Sequence, residues 1–341
     1  MGNASGTLGT SGRRRFWIAR FARVYPVYVL GLALTSPFYF PEAIRDNIAQ
    51  TLSSIVLVPT MLQGWTPMTA TLWNPPAWSL SAEVFFYLLF PAIGPWLAGR
   101  RTTWLFGALL GSWALAFVGP TAYQVAFPSG PPADPHLVSI GGLAQRFVLF
   151  GPLFHLPEFL VGIVLGHLFV RHPGLAERAG AFRAIAAGLA LVGVIAYVGG
   201  AGASASLPLV FVQAIFLPVY AILVWSLAVG RQGLARFLSL PGMVLLGEAS
   251  YSLYLLHLPV IWSVDWLVQL LADRGVSLGQ TRWIAALDLT LGIALSVIVF
   301  LYLERPRRIA IRRRFERAYL PQPGKHPQSR WRFGITHSAE A

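Results

Sequence analysis

Cysteine is absent from the 341-residue chain, which excludes disulfides, thiolate metal sites and cysteine nucleophiles. Charge is scarce as well. Only 11% of residues are Asp, Glu, Lys or Arg, against about 25% in soluble domains. There is no Walker loop, GxGxxG turn, GxSxG elbow or HExxH helix, so the usual signatures of nucleotide hydrolysis, dinucleotide binding, esterase chemistry and zinc proteolysis are missing. A cleavable leader is not expected, because the apolar run behind the first arginine cluster has no small-residue cleavage site. Myristoylation is not expected either, since Gly6 stands where the pattern needs Ser or Thr. Neither an internal repeat nor a second, soluble domain is visible.

What the chain has in excess is apolar sequence. It is 55% hydrophobic with a mean hydropathy of +0.60. Repeated runs of about 17–25 apolar residues read as an all-α polytopic membrane protein. The net charge is +13, and many of the cations sit in two clusters, Arg13–Arg23 and Arg305–Arg317. Juxtamembrane arginines of this kind set topology and touch anionic lipid; a nucleic-acid partner is not expected.

Taken in order, residues 1–12 are Gly/Ser/Thr-rich and expected to be disordered. Residues 13–310 form the membrane domain, and 311–341 a basic, polar tail. The positive-inside rule places the first cluster in the cytoplasm, so Val24–Phe40 runs outward. Ile48–Leu62 is short and is taken as re-entrant or interfacial. The helix carrying Glu83 then runs inward to Arg100-Arg101, followed by Thr103–Gly119 outward, Phe147–Val170 inward, Ala184–Gly199 outward and Leu207–Val229 inward. Gly242–Ser263 runs outward and Trp283–Leu303 inward. This bundle has about eight transmembrane helices plus the short segment, with both termini cytoplasmic.

The polar residues inside these runs are the candidate site. Glu83 is the one full charge in the run Ala77–Ala98, and Ser79 and Tyr87 lie four residues to either side on the same helix face. A carboxyl within a spanning helix costs about 2.5–3.5 kcal/mol on insertion scales, so it normally faces a bundle interior and has a role there. Gly247, Ser250, Tyr254 and His257 share one face of a later helix, and His155 and Glu158 are three apart on another. Counting from the helix starts places Glu83, His155, Glu158, His257 and Asp288 in the outer half of the bundle. Each also has a structural alternative, as a satisfied interhelical hydrogen-bonding group. Acids and imidazoles facing a common cavity suit proton exchange. Arginines at the cytoplasmic ends suit a polyanionic cosubstrate, because guanidinium forks match phosphate oxygens. Group transfer from a phosphorylated donor and proton-coupled transport both use such parts.

Four motifs and a C-terminal tag resemble one family. RFARVYPVYVLGLAL, WNPPAWSLSAEVFFYLLFP, LPEFLVGIVLG and GEASYSLYLLHLPV, followed by YLERPRR, look like the membrane acyltransferase-3 family, which includes O-acetylases of bacterial lipopolysaccharide and peptidoglycan. The motifs occur in family order. The resemblance implies a ten-helix core in the bacterial inner membrane that takes an acyl group from cytosolic acyl-CoA, most simply acetyl-CoA, as donor cosubstrate. The group is delivered to a hydroxyl of a cell-envelope glycan or glycosylated metabolite. No bound cofactor and no metal are implied. Arg20 and Arg23 match the family's arginine motif and would meet the CoA phosphates. Trp78, Ser79, Leu80 and Glu83 match its W-S-L-x-x-E motif. Ser250, Tyr251, Tyr254, Leu255 and His257 match its S-Y-x-x-Y-L-x-H motif. Glu83 and His257 are thus the candidate catalytic residues; Arg20, Arg23, Trp78, Ser79, Ser250, Tyr254, His155 and Glu158 are candidate substrate-binding residues. The sequence opens just before the family's third helix, so the first two, with the histidine regarded as the family's base, are expected to be missing. A transporter or flippase-like protein and a truncated, non-catalytic family member are the alternatives.

Overall fold

The computed structural model describes residues 9–129, 139–172, 188–189, 193, 209–229, 233–276 and 281–319. Among these the secondary structure is helical. The helices are α1 (Thr10–Asp46), α2 (Ile48–Leu57), α3 (Trp78–Ala98), α4 (Thr102–Ala116), α5 (Val118–Ala126), α6 (Ile140–Phe150), α7 (Leu156–Arg171), α8 (Val212–Val229), α9 (Leu234–Leu238), α10 (Pro241–Ala272), α11 (Thr281–Val299) and α12 (Arg305–Tyr319). A π-helical turn, Phe300–Glu304, joins the last two. Among the described residues, six stretches are long and apolar enough to cross a membrane: Gly12–Asp46, Pro75–Ala98, Thr102–Ala126, Pro152–Arg171, Pro241–Ala272 and Trp283–Ile311. The protein is therefore a helical, multi-pass membrane protein. Val212–Ala228 is a shorter apolar helix. The expected span Ala184–Gly199 falls almost wholly outside the described residues.

Two boundaries differ from the sequence reading. Phe147–Val170 is not one helix. Gly151, extended at φ −71° and ψ 128°, precedes Pro152 and ends α6, and a 3-10 turn leads into α7. A residue before proline is biased away from the α region, and Pro152 has no N–H to continue the ladder. Residues 10–12, expected to be disordered, are helical, since α1 begins at Thr10.

Prolines help to knit the bundle together. A helical proline leaves the carbonyl four residues earlier without its usual donor, and a partner from elsewhere must satisfy it. Pro91 frees the Tyr87 carbonyl, which accepts from Trp17 Nε1 of α1 at 2.8 Å. Pro218 frees the Ala214 carbonyl, which accepts from Trp113 Nε1 of α4 at 2.9 Å. Pro259 frees the Leu255 carbonyl, which accepts from Asn74 Nδ2 at 3.1 Å. Asn74 is fully buried and lies against Gly31, where a Cβ would sit 3.1 Å from Nδ2. Asn74→Ala is expected to leave the Leu255 carbonyl unpaired and to cost about 1–3 kcal/mol, read as a lower thermal unfolding temperature in detergent. A wild-type value would show that this tie contributes nothing.

The segment between α1 and α3 folds back on itself. The helix α2 returns along α1, with Thr51 Oγ1 donating to the Ala43 carbonyl and the Tyr28 hydroxyl donating to the Val58 carbonyl. The chain then climbs back, so that Gln50 Nε2 donates to the Met68 carbonyl at 2.8 Å. Its two sharp bends, Met61 and Trp73, have φ of 59° and 65°, a region non-glycine residues rarely adopt. Burial of Met61 and the bond from Trp73 Nε1 to the Leu32 carbonyl, 2.9 Å, hold them there. Arg146 of α6 clamps the same loop, through Nε to the Pro67 carbonyl (2.9 Å) and Nη2 to Thr71 Oγ1 (2.7 Å). Val24, Val27, Tyr28, Leu80, Leu255 and Leu256 are buried in the core that packs α1, α3 and α10 together.

This loop decides the depth of Glu83. Asn74 meets Gly31 and Leu255 midway along α1 and α10, so α3 begins inside the bundle rather than at its surface. Glu83, five residues into α3, therefore lies beside the arginine-rich half of α1, not in the half expected from counting residues.

Candidate active site

Four elements converge on Glu83. The Tyr87 hydroxyl, one turn along α3, donates to Glu83 Oε2 at 3.1 Å. Arg20 of α1 lies over the rings of Phe16 and Tyr87, 5.2 and 5.5 Å from their centroids. Arg20 and Arg23 are both within electrostatic reach of the Glu83 carboxylate. A second carboxylate, Glu304, is 1% exposed in the π-turn and accepts from Ser252 Oγ of α10 at 2.9 Å. Arg23 and Arg308 reach it electrostatically, so Arg23 serves both acids. Tyr251 feels both acids and donates to the Val24 carbonyl at 2.8 Å. An exposed guanidinium in the field of two acids keeps cationic N–H groups available for an anion.

Arg20 is half-buried and Arg23 exposed, but along the bundle both lie inward of the helix ends. Beyond Tyr87, α3 continues for about eleven residues, roughly 16 Å, to Ala98. There Arg100 lies 4.3 and 5.5 Å from the Trp96 and Trp104 rings. At this end Arg171 of α7 donates to the Arg100 and Ala98 carbonyls, and His172 Nε2 meets Thr102 Oγ1 at 3.0 Å. His167 Nε2 meets the Gly94 carbonyl at 2.9 Å. These groups fasten helix ends, whereas Arg20 and Arg23 lie further into the bundle.

A hydroxyl pair stands one turn from Glu83 in the other direction. Tyr254 donates to the Pro76 carbonyl at 2.6 Å, and its oxygen is 2.9 Å from Ser79 Oγ. Ser79 Oγ also reaches the Pro76 carbonyl at 3.3 Å, so either hydroxyl can donate within the pair. His257 follows one turn along α10, with Nδ1 2.9 Å from the Tyr254 carbonyl. A carbonyl only accepts, so Nδ1 carries the proton and Nε2 presents its lone pair. Among the described residues nothing hydrogen-bonds Nε2. A histidine held in this tautomer is arranged to take a proton.

The other candidates separate from this column. Trp78 faces away from Tyr254, its ring 4.9 Å from the His155 ring. His155 is buried, with Nε2 2.9 Å from the Leu149 carbonyl and Nδ1 3.4 Å from Glu158 Oε2. Both its nitrogens are engaged where α6, α7 and α3 pack, so His155 and Glu158 do not join Glu83. Ser250 folds back onto the Gly247 carbonyl at 2.8 Å; its neighbour Ser252 makes the buried contact instead. Asp288 lies within electrostatic reach of Asp265, far along α10 from Glu83. Sequence reasoning missed the Ser252–Glu304 pair and Arg146. The lone acid ending an apolar run at YLERPRR was the available signal for Glu304.

Fold and site together define a helical membrane protein that assembles guanidiniums, carboxylates, hydroxyls and an imidazole inside its bundle. A family model described as an acyltransferase domain matches residues 4–305. The chain belongs to this acyltransferase-3 family of membrane proteins. It is 28% identical over 264 residues to the acyltransferase MdmB of Streptomyces mycarofaciens, a match covering 72% of this chain and 61% of that protein. It is also 28% identical over 307 residues to the exopolysaccharide production protein ExoZ of Rhizobium meliloti (strain 1021), covering 84% and 78%. The chain thus spans about three fifths of the length of MdmB. No solved structure matches it.

Proposed function

We propose that this protein is an O-acyltransferase of the cell membrane, which moves an acyl group, acetyl in the simplest case, from acyl-CoA to a hydroxyl of a glycan or glycosylated acceptor. The observation that carries this reading is the polar column along the α3–α10 seam. It begins at Arg20 and Arg23, inward of the helix ends, passes Glu83, and ends at His257, whose Nε2 has no hydrogen bond among the described residues. Family membership supports the acyl chemistry, and the names of the two relatives fit it.

On this reading Arg20 and Arg23 hold the donor's phosphates from the cytoplasmic side, and Glu83 attracts both guanidiniums. The donor's thioester arm extends along the seam past Ser79 and Tyr254. His257 Nε2 takes the proton of the acceptor hydroxyl as its oxygen attacks the thioester carbon. A C–O bond forms, the C–S bond breaks, and the departing thiolate receives the proton. Trp78 and the His155–Glu158 pair position α3 against α6 and α7 rather than touching substrate. On this reading both termini lie in the cytoplasm of a bacterium and α1 crosses the inner membrane outward, which the arginine-rich ends of α1 and α12 support.

The test is transfer of radiolabelled acetyl from acetyl-CoA in membranes containing the protein. The expected product is an alkali-labile ester on a glycan fraction, absent from control membranes. Solute uptake driven by a pH gradient, without ester formation or CoA dependence, would replace this reading with the transporter.

A further inference from the structure

At the end of the bundle away from Arg20 and Arg23, the last turns of α1, the start of α2 and the last turns of α10 enclose a cleft of about 660 Å³. That size lies within the range of about 300–1,000 Å³ usual for small-molecule sites. Its lining includes the carboxylates of Glu42, Asp46 and Asp265, the indoles of Trp262 and Trp266, and the amide of Gln269. Among the described residues neither lysine nor arginine lines it. The walls are built by sequence: Pro37 and Pro41 shape the end of α1, Phe38 packs 6.0 Å from Trp262, and Thr51 ties α2 to the Ala43 carbonyl. The helices are long enough for this. The 37 residues of α1 extend about 55 Å, well beyond the roughly 30 Å hydrocarbon core, so its far end can stand in or above the headgroup layer.

The lining discriminates among ligands. Three carboxylates with no cation among the lining residues repel a polyphosphate, so this cannot be a second dock for the donor. Indole faces carry the negative side of the ring quadrupole and meet the weakly positive C–H face of a sugar ring. Carboxylates and an amide around those rings accept and donate bonds to vicinal hydroxyls. His257 lies on the same helix, about five residues or roughly 8 Å before Trp262, on the path between the cleft and the polar column.

We infer that this cleft binds the carbohydrate part of the acceptor, and that it takes neutral or amine-bearing sugars and rejects acidic ones. The inference rests on the acyl-transfer reading only for the word acceptor; the sugar site stands on its own chemistry. Three tetrasaccharides with one β-1,4-glucan backbone test it by calorimetry on the purified full-length chain in detergent: cellotetraose, its fully aminated chitosan counterpart and its uronate counterpart. Cellotetraose is expected to bind, the chitosan tetramer at least tenfold more tightly, and the uronate not measurably. Trp266→Ala, a substitution at an exposed side chain that leaves folding undisturbed, is expected to weaken both binders at least tenfold. Asp265→Asn should remove the advantage of the amine and spare cellotetraose. Uronate binding as tight as cellotetraose, no binding of any of the three, or affinities unmoved by both variants, would overturn the proposal. Sugar binding in a protein that forms no ester would refute the transfer reading and support the cleft; ester formation with unmoved sugar affinity would do the reverse.

Discussion

Replacing His257 by glutamine is expected to lower the turnover of acetyl transfer by about 10²–10⁴-fold, the usual contribution of a positioned general base. The geometry behind this is a single bond. With Nδ1 donating to the Tyr254 carbonyl at 2.9 Å, the imidazole can accept only at Nε2. Glutamine keeps a polar group at the site but cannot take a proton near neutral pH, so turnover should fall while KM for acetyl-CoA changes little. His257→Gly with added imidazole separates a base from a packing role. Partial rescue that rises with the free-base concentration is expected; full activity of His257→Gln would remove the residue from the mechanism. Folding is not at stake, because the side chain is only half-buried and the core contacts on either side are made by Leu256 and Val260.

The second large effect belongs to the guanidiniums. Arg23→Ala is expected to raise KM for acetyl-CoA about 10- to 100-fold, the loss of one charge-assisted hydrogen bond of about 1.5–3 kcal/mol. The same substitution should leave transfer from acetyl-pantetheine, which lacks the phosphates, nearly unchanged. Glu83→Gln should act in the same direction and less strongly, since it removes the charge that attracts Arg20 and Arg23 and weakens the acceptor of the Tyr87 bond. Equal losses with both donors would mean that the cluster holds the fold rather than the phosphates. Thermal unfolding in detergent checks this directly: removing a cation shared by two acids leaves buried charge uncompensated, so a collapse of stability in Arg23→Ala alone would point the same way.

Much of the architecture was legible because membrane insertion asks a simple question of a sequence. Without water in the hydrocarbon, backbone groups must pair within a segment, so long apolar runs become helices. Periodicity also placed Tyr87 on Glu83 and His257 beside Tyr254, because i, i+3 and i, i+4 relations are internal to one helix. It failed where the answer depended on another chain segment. Ser79 was grouped with Glu83 by spacing, yet its hydroxyl turns to Tyr254 of α10. His155 and Glu158 looked like site residues, yet they pack against Trp78 on the far side of α3. Ser250 carried the motif, but Ser252, two residues on and on the other face, reaches Glu304.

The amino-acid sequence by itself determined that this protein lives in a membrane as a helical bundle, with its cations gathered at helix ends and a few acids and imidazoles inside. Composition and local spacing are enough for that, since each follows from one segment meeting lipid or water. Only the tertiary structure decided depth and grouping. The bond from Asn74 to the carbonyl freed by Pro259 starts α3 in the middle of the bundle, and that offset is what sets Glu83 beside Arg20 and Arg23. Relative displacement of two helices is fixed by the contacts between them, and a pattern within either helix does not encode it.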